Sequence, residues 1–277
     1  MTDRTSQHTD HRAFGDGSGW LVTTLVIIGK LLWASLFAGL ILAGIVATKA
    51  FWPADAPIYR YDALVIYAVG LQVLFLWLRL ETFEEARVII LFNLAGTAME
   101  LFKVNAGSWD YPEPGILQLS GVPLFAGFMY ASVGSFIARA VRLFDMQFAP
   151  YPPFWTTVVL AVVIYINFFA RHALPDIRLV LFAATVVLFF RTRVGFTMSN
   201  RRVSVPMLLA AFITSFALWV AENIGTYTGT WTYPGQGMSD LVSFQTMGSW
   251  YLLSWVCFVT VTLVSRDALG PAPGSRA

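Results

Sequence analysis

Apolar residues along this chain do not alternate with polar ones. They gather in long runs: Leu21–Ala47, Asp62–Leu78, Ala86–Phe102, Leu117–Ala138, Phe154–Ala170, Ile177–Phe190, Val205–Glu222 and Phe244–Val264. A helix of about 20 mostly apolar residues spans a hydrocarbon core about 30 Å thick. In lipid, backbone groups must be satisfied within each segment, so helices are the default reading. Barrel strands would alternate at period two, and these runs do not. The pattern predicts an all-α fold: a polytopic membrane helix bundle of about eight transmembrane helices. The bundle is expected over residues 20–265, between a polar, disordered tail at 1–19 and a second tail at 266–277. Lys30 interrupts the first run and is read as snorkelling or as marking the start of the span.

Composition agrees. The chain is 57% hydrophobic and only 12% charged, against about 25% charged in soluble domains. Its net charge of +2 is small and scattered, so nucleic acid is not an expected partner; membrane lipids are. Charge also orients the bundle. With the N-terminus inside, twelve arginines fall on the cytoplasmic side, against Lys49, Arg60, Lys103, Arg171 and Arg178 opposite. The expected location is therefore the plasma (inner) membrane, multi-pass, with both termini cytoplasmic. The basic loop Arg191–Val203 weighs most. The charged turn Arg79–Arg87, with Glu81, Glu84 and Glu85, reads as solvated. Arg139 and Arg142 read as topology determinants or a headgroup contact.

An internal match carries the most information. Residues 100–115 align without gaps on residues 222–237, with six of sixteen positions identical. The shared pattern is Glu, then Gly-x-Trp-x-Tyr-Pro: Glu100, Gly107, Trp109, Tyr111, Pro112 against Glu222, Gly229, Trp231, Tyr233, Pro234. Four helices separate the copies, which predicts two parallel four-helix repeats, about 20–145 and 153–265. Asn93, Thr97 and Glu100 share one helix face, as do Ser215, Trp219 and Glu222. An acid inside a bilayer is costly unless it faces the bundle interior or water. The two glutamates are therefore expected to converge on one cavity, with the Gly-x-Trp-x-Tyr-Pro segments as lids or interfacial anchors.

Several segments resemble the bacterial YoaT-like family of multi-spanning membrane proteins. They are Lys103–Glu113, Gly121–Gly134, Asn167–Arg178 and Glu222–Trp250. The order acid, Gly-x-Trp-x-Tyr, Gly-Val-Pro-Leu, including Asp110 and Gly121–Leu124, is more distantly similar to membrane carotenoid cyclases and hydratases. Phe125 and Ala126 stand where those cyclases carry paired glutamates. The likeness implies acid–base chemistry on an isoprenoid or other apolar lipid. Glu100, Glu222 and Asp110 are then the candidate catalytic residues. Asn93, Trp109, Tyr111, Asn223, Trp231, Tyr233 and His172 are the candidate substrate contacts. Two alternatives stay open: a small-solute or proton-coupled transporter, and a noncatalytic lipid-binding or structural protein.

The remaining chemistry is sparse. The single cysteine, Cys257, excludes an internal disulfide. Of three histidines, His8 and His11 lie in the tail, which argues against a histidine-rich di-iron site. No glycine-rich phosphate loop or metal-ligand spacing appears, so no metal or cofactor is expected.

Overall fold

In a computed structural model, which describes residues 17–170, 175–198 and 201–270, helices cover all eight apolar runs. The first run is two helices, α1 (Gly17–Ala34) and α2 (Leu36–Phe51), bent by 66° at Ser35. Lys30 explains where α1 lies. Its Nζ donates to the carbonyl of Leu143 at 3.0 Å and sits 5.3 Å from the Phe144 ring. The helix begins at Gly17, inside the segment expected to be a disordered tail.

Next come α3 (Arg60–Trp77) and α4 (Phe83–Asn105). A capping box starts α4: Thr82 Oγ1 accepts from the Glu85 amide, and Glu85 accepts from the Thr82 amide. The fourth run is corrected. Residues 118–123 form a hairpin of β1 (Gln118–Leu119) and β2 (Val122–Pro123), and α5 starts only at Phe125, ending at Leu143. Ser120 and Gly121 turn the hairpin at φ +49° and +81°, the left-handed pair a two-residue turn requires.

The second half holds α6 (Phe154–Ala170), α7 (Arg178–Phe189), α8 (Met207–Tyr227) and α9 (Phe244–Val264). A purely helical fold is also corrected. The basic loop is a hairpin, β4 (Arg193–Met198) and β5 (Arg201–Pro206), and β3 (Gln147–Ala149) pairs with β4. Part of the expected C-terminal tail packs back on this sheet: Leu269 bridges Phe148, and Ala268 is buried.

Among the described residues, four helices (α3, α4, α8 and α9) are long and apolar enough to cross a membrane, or five with the bent α1–α2 pair as one span. At 12 residues α7 spans about 18 Å, short of a bilayer core. Large apolar side chains such as Ile66, Val73, Leu94 and Val187 face outward, as lipid-facing positions do. The chain is a multi-pass membrane protein.

Two acids of the charged turn, Glu81 and Glu85, are buried rather than solvated, while Arg79 and Arg87 are exposed. Glu81 accepts from Ser135, Arg139 and Gln72 at 2.6, 3.1 and 2.7 Å, and Arg142 pairs with Glu85 at 2.8 Å. Arg139, 0% exposed, also donates to the Trp33 carbonyl. The pair therefore fastens α5 to the α3–α4 turn and to the α1–α2 bend. Packing divides into several cores. One core joins α2, α3 and the start of α5, another joins α6, α7 and α9 to the sheet, and a third joins Val88, Ile89 and Ala131 of α4 and α5 to Cys257 and Val261 of α9. Trp231, from the second half, is buried in the first core.

Candidate functional site

Both copies of the repeated motif leave their helix in the same way. Gly107 and Gly229 take φ +69° and +64°. The amides of Ser108 and Thr230 return to the carbonyls of Lys103 and Gly225 at 2.9 and 3.0 Å. This is the Schellman closure, and the left-handed residue favours glycine. Each chain then doubles back so that its Trp and Tyr meet the glutamate one turn and a half inside the helix end.

The two sites are near copies. Glu100 accepts from Trp109 Nε1 at 2.7 Å, Tyr111 Oη at 3.0 Å and Tyr130 Oη at 2.7 Å. Glu222 accepts from Trp231 Nε1 at 2.7 Å, Tyr233 Oη at 2.7 Å and Trp250 Nε1 at 3.0 Å. The third donor comes from the helix after the motif, α5 or α9. Tyr130 lies 30 residues beyond Glu100 and Trp250 lies 28 beyond Glu222, so the second linker is two residues shorter. Glu100 and Glu222 are 2% and 7% exposed, and their donors satisfy the rule that buried charges are hydrogen-bonded. Burial, and Glu100 beside it, hold the Tyr111 phenol well above its ordinary range, so it stays a donor.

The copies also touch each other. Asp110 and Thr232, equivalent positions in the repeat, exchange two backbone hydrogen bonds of 2.9 Å. The Tyr130 and Trp250 rings lie 5.9 Å apart, and Trp109 and Tyr233 lie 6.1 Å apart. Of these contacts, the Asp110–Thr232 bridge joins equivalent positions of the repeat. Arg60 and Tyr61 of α3 fix the second copy in place, donating to the hydroxyl and carbonyl of Thr230 at 2.9 and 2.7 Å. Glu113 completes the tie, accepting from Arg60 at 2.6 Å.

Both glutamates and all six of their donors line one cavity of about 590 Å³. That volume lies within the range of small-molecule sites. Its walls below this level are mostly apolar, with Ile41, Leu42, Val133, Phe136, Ile213 and Leu253, broken by Ser35, Ser132 and Thr214. At the rim, where α4 and α8 end, stand Ser243, Gln245, Thr246, Ser249 and Arg178.

Other sequence candidates fall elsewhere. The Asp110 carboxylate is exposed and accepts from the Tyr111 amide; its backbone, not its acid, serves the site. Asn93 packs against Gly127 of α5 and is not in the cavity wall. Asn223 holds the α8–α9 connection by accepting from the Val242 amide at 2.9 Å. Trp219 donates to the Val242 carbonyl and stacks on Phe244. His172 lies outside the described residues. Asp176 and Arg178 pair at 2.6 Å. Tyr130, Trp250 and Arg178 were not among the sequence candidates. The repeat aligns only sixteen residues, and Tyr130 and Trp250 differ in both offset and type.

A sequence signature described as "Protein of unknown function (DUF817)" spans residues 24–258. The chain belongs to the DUF817 family. Within reach of this DUF817 chain is the "Uncharacterized protein YoaT" of Bacillus subtilis (strain 168), 40% identical over 232 residues, 83% of this chain and 87% of that one. Among solved structures, an Insig homolog, MvINS from Mycobacterium vanbaalenii, matches 67% of the DUF817 chain and 95% of its own at 14% identity. A cross-linked trimer of MvINS matches equally far at 16% identity, and both superpositions have a TM-score of 0.47.

Proposed function

We propose that this DUF817 protein binds one small, single-tailed amphiphile in the chamber between two parallel four-helix halves, head at the glutamates. The observation that carries the reading is the single cavity with both repeated glutamate sites at one end and apolar walls beyond. Its lining on α2 runs from Ser35 to Ile45, about 15 Å of helix, which makes the space long rather than round. Binding at the interface of parallel repeats is a familiar arrangement in membranes. On this reading eight helical units assemble in the inner membrane with the termini cytoplasmic, and the arginine asymmetry puts the glutamate rim outside.

The hydrogen-bond pattern favours recognition over proton transfer. Three of the six donors are indole N–H groups, which can donate but never accept. Only the phenols could relay a proton. Gly39 offers a clean test, because it lines the cavity and a Cβ there meets nothing within 4 Å. Native mass spectrometry of wild type should show a co-purified amphiphile at one per chain, and Gly39→Leu should lose it while keeping its melting temperature. An empty wild-type chamber, or retention in Gly39→Leu, rejects the reading. Conversion of a bound lipid by wild type but not by Glu100→Gln would move it to an acid–base enzyme.

A further inference from the structure

The wall of the chamber's polar end carries more acidic than basic side chains. Among the described residues its lining holds two carboxylates, Glu100 and Glu222, and one cation, Arg178. That cation is already bound to Asp176 through Nε and Nη2 at 2.7 and 2.6 Å. Lys103 is buried on α4 with its Nζ 4.4 Å from the Phe168 ring, and it is not part of the cavity wall. A carboxylate offers about four lone-pair sites, and each glutamate has three taken by its donors. Each retains capacity for one more donor.

The same donors build the rest of the subsite. Their indole and phenol edges are turned to the glutamates, and all six rings line the cavity. Aromatic faces carry negative charge density and attract a cation held near the ring. Two acids inside an aromatic surround thus present one sign of field to whatever enters. A phosphate or carboxylate head would meet both acids, with Arg178 engaged elsewhere. A neutral alcohol would leave the charge uncompensated in a low-dielectric site.

We infer that the amphiphile is an organic cation: an ammonium head, primary to quaternary, seated between Glu100 and Glu222 within the six-ring surround, with its alkyl tail along α2. The inference rests on the amphiphile-binding reading above. An N–H of a primary or secondary amine fills the free acceptor sites; a quaternary head uses the rings and the charge.

Matched twelve-carbon probes separate the two claims. Dodecyltrimethylammonium, dodecanol and dodecyl phosphate are titrated into purified full-length protein in a nonionic detergent, followed by tryptophan fluorescence and calorimetry. The cation should bind at least about tenfold more tightly than the alcohol, and the phosphate least. In Glu100→Gln the cation should lose most of that advantage over the alcohol. Gly39→Leu should lose all probes. Equal binding of cation and alcohol, or the phosphate binding best, overturns the charge inference and leaves the chamber intact. Binding of none overturns both. Should Glu100→Gln fold poorly, Tyr130→Leu and Trp109→Leu each remove one ring from the surround and should weaken the cation more than the alcohol.

Discussion

Replacing each glutamate by glutamine should have unequal effects, because the donors differ in kind. Glu100 accepts from Tyr130 on one oxygen and from Trp109 and Tyr111 on the other. A glutamine there can place its carbonyl toward Trp109 and its amide NH₂ toward Tyr130, whose hydroxyl turns round to accept. Glu222 has an indole on each oxygen, Trp231 on Oε1 and Trp250 on Oε2. Either orientation of a glutamine sets an NH₂ against an indole N–H, and one buried donor is left without a partner. Such a group costs about 1–3 kcal/mol. Both variants lose charge assistance equally, so the excess belongs to Glu222→Gln. At about 2–4 °C per kcal/mol for a chain of this size, Glu222→Gln should melt about 2–12 °C below Glu100→Gln in the same detergent. Trp250→Tyr copies the phenol of the first half into the second and should rescue Glu222→Gln in a double-mutant cycle. Equal losses in the two glutamine variants, or no rescue by Trp250→Tyr, would refute the assignment of both Glu222 oxygens as acceptors.

Other outcomes follow from packing. A Cβ at Gly225 would collide with the ring of Trp231, which is pinned to Glu222; Gly225→Ala should cost about 1–3 kcal/mol in a thermal melt. Gly70→Ala, with nothing within 4 Å, serves as the silent control, and an equal loss there contradicts the contact. Arg139→Met leaves Glu81 buried without its charge partner and should cost about 3–5 kcal/mol; a loss under about 1 kcal/mol by the same melt contradicts the burial. Gly121→Val puts a β-branched residue at φ +81°, with a penalty of about 1–2 kcal/mol. Hydrogen exchange should report it as faster exchange confined to the hairpin at 118–123.

The apolar runs made the helices legible, and the sixteen-residue self-match made both glutamates and four of their six donors legible. What the runs hid was punctuation. Ser35 bends the first helix inside an apolar stretch interrupted only by Lys30, five residues earlier, where no proline or polar cluster signals the bend. The hairpin at 118–123 did carry a signal, Ser120-Gly121 followed by Pro123, but the hydropathy around it outweighed the turn chemistry. The charged turn looked solvated because its partners, Arg139 and Arg142, lie more than fifty residues away. Asn93 and Asn223 sit near the glutamates in sequence, yet a helix face chosen by spacing alone cannot distinguish the cavity from a neighbouring helix. Asp110 was drawn in by its motif, whereas the position matters for its backbone.

Convergence of the two motif copies underlies the chamber, the glutamate pair and the cation subsite alike, and an engineered cross-link tests it most directly. Asp110 and Thr232 form a hydrogen-bonded antiparallel pair, a geometry with Cα atoms about 5.5 Å apart and within disulfide reach. The double variant Asp110→Cys, Thr232→Cys, oxidised in membranes and mapped by peptide mass spectrometry, should form an intramolecular disulfide between the halves, with the buried Cys257 left free. Failure to cross-link, or a link found only between separate chains, would mean that the copies do not meet within one molecule.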